Sequence, residues 1–491
     1  MGSLGSLGSL GRIKHTSLPH LPSLPTLPPF PCPIPNAQCP NCPFPIPQMN
    51  IYPKDYSLLT DLYQLTMAAC YAGEGLERRK ASFELFVRRL PAGFGYLVAM
   101  GLAQALEYLQ ELRFSSEQIA ALKATEIFAN APEEFWSLLE ERFSGSVWAV
   151  TEGTVVFPNE PLLRVEAPLW QAQLVETYLL CTINYQTLIA TRGARLREAA
   201  GPEAIVLEFG SRRAFGPQAS LWAARAALAG GLNATSNVLA ALKLGRKPAG
   251  TMAHALVMAL AAAQGSEMQA FTAFHRYFPG SPLLIDTYDT LAAARQLAER
   301  VKVGEIELAG VRLDSGDLVA LSREVRSLLP EVPIFASGDL DEWEIAKLKS
   351  AAACIDGYGV GTRLVTGAPV NGVYKLVEID GIPVMKESKG KPSYPGRKQI
   401  FRHWQSGAIA TDRLGLASED PQTDEVPLLQ LVLEAGKPVH PQPTLEEISS
   451  RVRENVAALP RETRQLENPI PLTVEISSEL QALAEKTKKV S

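Results

Sequence analysis

Residues 311–318 read VRLDSGDL, residues 334–340 read IFASGDL and residues 358–362 read YGVGT. Each tip closes a short apolar run and follows the one before by about 24 residues. A helix-like stretch separates each from the next. Strand–helix alternation of this length implies parallel strands joined by right-handed crossovers, hence an α/β sheet or barrel. Ligand sites in such folds gather at the C-terminal strand ends. Glycine there lets the backbone come close to a ligand, and free N–H groups in the turn make an anion-binding nest. Aspartates beside them suit Mg2+ or sugar hydroxyls. Together these tips predict a phosphorylated sugar as ligand.

Outward from this repeat, alternation begins near Thr182 and includes AIVLEFGSRR (204–213) and PLLIDTYD (282–289). Earlier, residues 55–75 read as a helix with Asp55 or Ser57 as N-cap. Residues 146–168, SVWAVTEGTVVFPNEPLLRVEAP, read as a β-hairpin turning at Pro158-Asn159. Residues 371–388 read as antiparallel strands returning to the first domain, and the last 50 or so as charged surface helix. The expected fold class is α/β: an irregular or incomplete α/β barrel with a second α+β domain built from N-terminal and C-terminal segments. The expected boundaries are 1–48, a disordered Pro-rich extension; 49–181, the N-terminal α+β domain; 182–370, the α/β barrel that carries the sugar-phosphate tips; and 371–491, the returning segment with surface helices.

The extension opens on three Gly-Ser-Leu copies and then sets Pro19, Pro22, Pro25 and Pro28 at a three-residue period. That period lines one side of a polyproline II helix, which has no packed core. It reads as a dispensable extension or an SH3-type ligand, and it has no uninterrupted apolar stretch of the secretory kind. The 491 residues suffice for two or three domains, and 46% hydrophobic with 20% charged residues is ordinary for a globular chain. A net charge of −5 gives no support for nucleic acid, which would favour a basic face. No apolar run approaches the length of a membrane span, and residues 255–263 read as a buried helix. Cys70, Cys181 and Cys354 read as reduced, buried thiols, and Cys39 and Cys42 as half a zinc-ribbon spacing without its second pair. A cytoplasmic setting follows.

Among residues that could carry chemistry, Arg312, Asp314, Ser315 and Asp317 form the densest group: an Arg clamps phosphate in bidentate fashion and Asp314 suits Mg2+ or a diol. The plain alternative is a salt-bridged strand end. Ser337, Gly338 and Asp339 repeat the pattern one unit later, and Gly359, Gly361 and Thr362 offer backbone donors at a helix start, where the dipole favours phosphate. Arg212 and Arg213 follow Phe209 and read either as a site for a flat anion or as a surface pair. His254, at the start of an apolar helix, reads either as a core histidine or as a nucleophile whose second nitrogen Asp286 holds.

These segments resemble nicotinate phosphoribosyltransferase, a type II phosphoribosyltransferase. The resemblance rests on TDLYQLTM, EGTVVFPNEPLLRVEAPL, LEFGSRRA, GTMAHA, DTYDT, VRLDSGDL and GVGT, in that order across roughly residues 56–402. It implies ATP-assisted condensation of nicotinate with phosphoribosyl pyrophosphate, giving nicotinate mononucleotide and pyrophosphate. It also implies that Tyr63, offered across a homodimer interface, and Phe209 sandwich the pyridine ring, with Arg212 and Thr251 meeting the substrate. Arg312, Asp314, Ser337, Gly338, Asp339, Gly361 and Thr362 would hold the phosphoribosyl group with Mg2+, Asp314 as the metal ligand. His254 would be the phosphorylated histidine, with Asp286 and Asp314 as its catalytic companions. Members often carry Ser after that histidine, where this chain has Ala255. Nicotinamide phosphoribosyltransferase is the nearest alternative, and paired Arg212 and Arg213 favour the acid.

Overall fold

The computed structural model describes residues 53–386 and 393–489. The proline-rich run and Cys32, Cys39 and Cys42 lie outside the described residues. A 3-10 turn at Pro53–Leu58 leads into helix α1 (Leu62–Gly73). The cap position is Asp61, not Asp55 or Ser57. Ser57 is occupied elsewhere: its hydroxyl donates to the Arg113 carbonyl at 2.8 Å and accepts the Arg113 amide at 3.2 Å.

Three strands follow: β1 (Lys80–Val87), β2 (Ser146–Val150) and β3 (Pro161–Pro168). All pairing here is antiparallel, β1 with β3 and β3 with β2. The expected hairpin is therefore present, with Asn159 at φ +70° in its turn. Its middle departs, because Val155–Val156 leaves to pair with Leu97–Val98. Helix α2 (Glu176–Ala200) then crosses to the second half of the molecule.

Six short strands make one parallel sheet. In chain order they are β4 (Ile205–Glu208), β5 (Ala234–Thr235), β6 (Leu283–Leu284), β7 (Val311–Leu313), β8 (Ile334–Ala336) and β9 (Gly357–Val360). Their spatial order is β5-β4-β9-β8-β7-β6, each neighbour parallel. Val311, Leu313, Ile334 and Ala336, which share one face of these strands, are fully buried, while Arg312 and Phe335 on the opposite face are half-buried. The edge strands β5 and β6 do not pair with each other, so the barrel is incomplete. Helix α3 (Pro217–Ala229) follows β4, and α4 (His254–Gln264) lies between β5 and β6. Helices α5 (Leu318–Leu328) and α6 (Glu342–Ser350) connect β7 to β8 and β8 to β9, and α7 (Thr362–Val365) follows β9.

Helix α4 is not the buried helix its composition suggests. Only Val257 is buried, and Met258 is 55% exposed. A single face meets the core of Met252, Phe271 and Leu284, which leaves the alanines outward.

The chain then returns to the first sheet. Strand β10 (Gly372–Ile379) pairs antiparallel with β1 on the side away from β3. Strands β11 (Lys398–Gln405) and β12 (Ala408–Leu416) form a hairpin, and β13 (Leu429–Glu434) pairs with β2. Late strands thus extend the early sheet on both sides, which ties residues hundreds of positions apart into one antiparallel ladder. The closing helices are not wholly surface: Ile448, Val452 and Leu480 are buried. The thiols differ from expectation too, Cys70 and Cys181 being exposed and Cys354 half-buried. Cys70 sits on the face of α1 turned away from buried Leu65 and Ala68. Among the described residues, no helix is long and apolar enough to cross a membrane.

Candidate active site

The three polar tips become neighbours because their strands do. Val311 pairs with Ile334 and Leu313 with Ala336, while Phe335 and Ala336 pair with Gly357 and Tyr358. Asp314, Ser337 and Gly361 therefore leave the sheet side by side. The Ser337 hydroxyl donates to Asp314 Oδ1 in a short hydrogen bond. Gly338 crosses directly above, with φ +95°, and a Cβ there would sit 2.1 Å from the Asp314 carbonyl oxygen. Only glycine closes this turn.

These tips line a cleft of about 690 Å³. It gathers Phe209, Arg212, Thr251, His254, Arg312, Asp314, Ser337, Gly338, Asp339, Gly361 and Thr362, together with Arg213 and Gly359. Residues dispersed over more than 150 positions thus face one volume. Four expected residues do not line it: Tyr63, Asp286, Ser315 and Asp317. Tyr63 stands on α1 with 48% of its surface exposed, and Asp286 is buried behind the tips. A second chamber of about 320 Å³ shares Phe209, Thr251, Arg312 and Gly359 with the first.

His254 is the first residue of α4. Its Nδ1 lies 3.1 Å from Thr287 Oγ1, and its Nε2 lies 3.8 Å from Asp314 Oδ2 and 3.9 Å from Asp286 Oδ1. The hydrogen bond expected from Asp286 is therefore made by Thr287. Asp286 is committed elsewhere, since its Oδ2 accepts the Asp314 amide at 2.9 Å and the Ser315 hydroxyl at 2.7 Å. Its Oδ1 is buried without a hydrogen-bond partner, on the side facing the imidazole. With Nδ1 donating to Thr287, Nε2 would keep its lone pair for chemistry.

The dense group splits by role. Ser315 binds Asp286, and Asp317 caps α5 by accepting the Val319 and Ala320 amides at 3.1 Å each. Arg312 and Asp314 are left to the cleft. Arg312 Nε is buried with no hydrogen-bond partner, so the guanidinium holds unused donor capacity in the cleft wall. Burial pushes the Arg312 pKa down, and the carboxylates of Asp314 and Asp286 oppose that. Thr251 lines the cleft, and its hydroxyl donates to the Pro282 carbonyl, which braces the loop. Helix α7 is one turn long, so Gly361 and Thr362 bring backbone amides rather than a sizeable dipole.

Phe209 packs its ring against Gly359, where a Cβ would sit 2.4 Å from the ring edge. Arg212 and Arg213 follow in a 3-10 turn, both exposed and both on the cleft rim. Residues that sequence reasoning misses are Ser211, Ser236 and Met252 in the lining, Thr287 at the histidine, and Glu208 beneath Phe209. Glu208 carries a readable signal: a carboxylate inside the apolar strand VLEF.

Family models match the chain in three segments: the nicotinate phosphoribosyltransferase N-terminal domain over residues 58–184, the nicotinate phosphoribosyltransferase family over residues 205–336, and the nicotinate phosphoribosyltransferase C-terminal domain over residues 421–484. A nicotinate phosphoribosyltransferase of Mycobacterium tuberculosis is 42% identical, across 87% of this chain and 94% of its own length. The Bacillus subtilis protein of that name is 38% identical, across 86% and 93%. The crystal structure of human nicotinic acid phosphoribosyltransferase superposes with a TM-score of 0.76 at 32% identity, covering 87% of this chain and 99% of the human one.

Proposed function

The chain belongs to the nicotinate phosphoribosyltransferase family, and on that premise we propose that the cleft at the tips of β4, β7, β8 and β9 is its active site. The enzyme transfers the phosphoribosyl group of phosphoribosyl pyrophosphate to nicotinate, giving nicotinate mononucleotide for NAD salvage. The observation that carries the assignment is the convergence of Phe209, Arg212, His254, Arg312, Asp314 and Ser337 on one volume.

In this reading the ring of nicotinate stacks on Phe209, with its carboxylate toward Arg212. The pyridine nitrogen attacks C1 of the ribose, the C1–oxygen bond breaks, and pyrophosphate leaves with both electrons. Negative charge then concentrates on the leaving group, and fixed cations and amide donors there supply the main stabilisation. Arg312, with its unfilled donor, and the backbone at Gly338, Gly361 and Thr362 are placed for that task, while Ser337 and Asp339 border the sugar.

Among the described residues, no group of three or more His, Cys, Asp or Glu side chains could hold a metal ion. Mg2+ often takes only one or two protein carboxylates beside substrate phosphates, so a single Asp314 fits it. When bound there, Mg2+ would neutralise pyrophosphate charge.

ATP is the co-substrate of this reading. His254 Nε2 would attack the terminal phosphorus, ADP leaves, and water later returns the histidine by releasing phosphate. Thr287 orients the imidazole, and the carboxylates of Asp286 and Asp314 face its reactive side. Tyr63, exposed on α1, would complete the pyridine sandwich in the other subunit of a homodimer. The division at residues 181 and 370 is kept as a proposal, supported by the switch from antiparallel to parallel pairing and back, and the proposed boundary at 48 lies outside the described residues. A cytoplasmic location belongs to the same reading.

The test is product formation from nicotinate and phosphoribosyl pyrophosphate, with nicotinamide as competitor. We expect nicotinate mononucleotide, stimulated by ATP, and an acid-labile phosphoryl adduct at His254 by mass spectrometry. Preference for nicotinamide, or no adduct together with undiminished ATP stimulation, would overturn the reading.

A further inference from the structure

Glu208 ends β4 with only 1% of its surface exposed, and no Lys, Arg or His forms an ion pair with it among the described residues. A buried carboxylate without a counter-charge is costly and calls for an explanation. Its two oxygens are both used. Oε1 accepts the Gly210 amide and Oε2 accepts the Thr235 hydroxyl, both in short hydrogen bonds. Burial raises the Glu208 pKa, while the Thr235 hydroxyl and the Gly210 amide pull it back.

The partners define what is held. Gly210 lies between Phe209 and the Ser211–Arg213 turn, the segment that carries the ring and both arginines. Thr235 ends β5, and its hydroxyl also accepts the Asn237 amide at 2.9 Å. The Thr235 carbonyl accepts the Ala249 amide at 2.9 Å, at the head of the loop to Thr251 and His254. The Glu208 carbonyl accepts the Ser236 amide at 2.9 Å. One buried side chain thus ties the β4 tip to the β5 tip, and through Thr235 to the loop before α4.

Strand pairing alone leaves this corner weak. β5 is a two-residue edge strand, joined to β4 at only two register positions. The chain beyond Glu208 continues into a turn whose ladder bond is Phe209 N to Val360 O at 2.7 Å. The Phe209 ring is pinned on one side by Gly359, and the Gly210 amide is the next point of restraint. A shift of about 1 Å at such a point is enough to spoil the alignment of ring and guanidinium with a bound acid.

We propose that Glu208 is a positioning residue for nicotinate recognition: with Thr235 it forms a buried brace that fixes Phe209 and Arg212 relative to the β5 tip. It touches no substrate and acts through the two residues that do. The inference rests on the assignment of the pyridine site to Phe209 and Arg212.

The experiment is steady-state kinetics on the full chain for Glu208→Ala, Glu208→Gln, Thr235→Val and Thr235→Ser, beside Phe209→Ala and Arg212→Ala. Gln keeps an acceptor for the Gly210 amide and gives Thr235 a donor, so it should restore most of what Ala loses. Each of Glu208→Ala and Thr235→Val removes two buried hydrogen bonds, and we expect each to raise KM for nicotinate at least about tenfold, the effect of losing one such bond of about 1.4 kcal/mol. KM for phosphoribosyl pyrophosphate should stay within about twofold, and the Ala–Val double variant should cost less than the sum, as coupled partners do. Thr235→Val is isosteric and keeps the test alive if Glu208→Ala does not fold. Equal loss for both substrates, or an unchanged nicotinate KM in Thr235→Val, would overturn the brace. If Phe209→Ala and Arg212→Ala also leave that KM unchanged, the site assignment itself has failed, and the two failures are distinguishable.

Discussion

The Nδ1 of His254 lies 3.1 Å from the Thr287 hydroxyl, while its Nε2 faces Asp314 at 3.8 Å. One nitrogen is held by a neutral group and the other stands before a carboxylate. A neutral hydroxyl orients the ring and fixes its tautomer, but raises the basicity of Nε2 less than a bonded carboxylate would. Replacing His254 by Ala should leave basal phosphoribosyl transfer measurable and remove the stimulation by ATP. Rates with and without ATP decide it, and equal stimulation in both proteins would end the phosphohistidine reading.

Arg312 presents an unfilled buried donor to the cleft. Its change to Lys keeps the charge but loses the fork that matches phosphate oxygens. A charge-assisted hydrogen bond is worth about 1.5–3 kcal/mol, so KM for phosphoribosyl pyrophosphate should rise roughly 10- to 100-fold. Nicotinate KM is the internal control. Parallel changes in both would show general damage instead.

Gly338→Ala should be more harmful than its size suggests. The added Cβ would stand 2.1 Å from the Asp314 carbonyl, and φ +95° is unfavourable for any L-residue. The turn must open, moving Asp314 and Ser337 together. We expect about 1–3 kcal/mol lower stability in urea and a larger loss in kcat/KM. A variant with wild-type kinetics would contradict the close approach.

Glu160, beside the buried Arg402–Asp412 pair, sets a pH dependence of stability. Burial first, and the Asp412 charge second, hold its pKa well above the ordinary carboxyl value of 4.5. A carboxyl that binds its proton more tightly when folded favours folding below that ordinary value, and the benefit disappears as pH rises through the folded pKa. Wild-type stability should therefore fall from about pH 4.5 upward relative to Glu160→Gln, which mimics the protonated form. Denaturant midpoints for both proteins across about pH 4.5–8 measure this, and parallel curves would contradict it.

The proposed sharing of active sites between two subunits makes a complementation test possible. Tyr63→Ala and Arg312→Ala should each be poorly active alone. Co-expressed, a two-fold symmetric dimer places both lesions in one site and frees the other, so about a quarter of sites should recover. No recovery would place Tyr63 outside its neighbour's site.

Much of this chemistry is legible in the order of the residues. The tips at Asp314, Ser337 and Gly361 end apolar runs at a repeated interval, and a parallel sheet must bring such ends together. Asp317 shows the limit of that logic, because an Asp after a glycine serves equally well as a helix cap. Thr287 and Thr235 give no signal, since a threonine in a loop has no signature until its partner's position is known. The N-cap expected at Asp55 or Ser57 fails because capping preference is local, whereas the Ser57 hydroxyl is captured by Arg113, 56 positions away.

Residue order by itself determined the strand ends, the glycines where backbone must approach backbone, and the cations and carboxylates available to an anionic substrate. These are local properties, set by side-chain chemistry and allowed dihedrals. Only the tertiary structure decided which groups share a volume: that β9 lies between β4 and β8, that Asp286 turns to Asp314 rather than bonding His254, and that β10 and β13 extend the first sheet on its two sides. Strand order and hydrogen-bond choice depend on contacts between distant segments, whose energies appear only once the chain has packed.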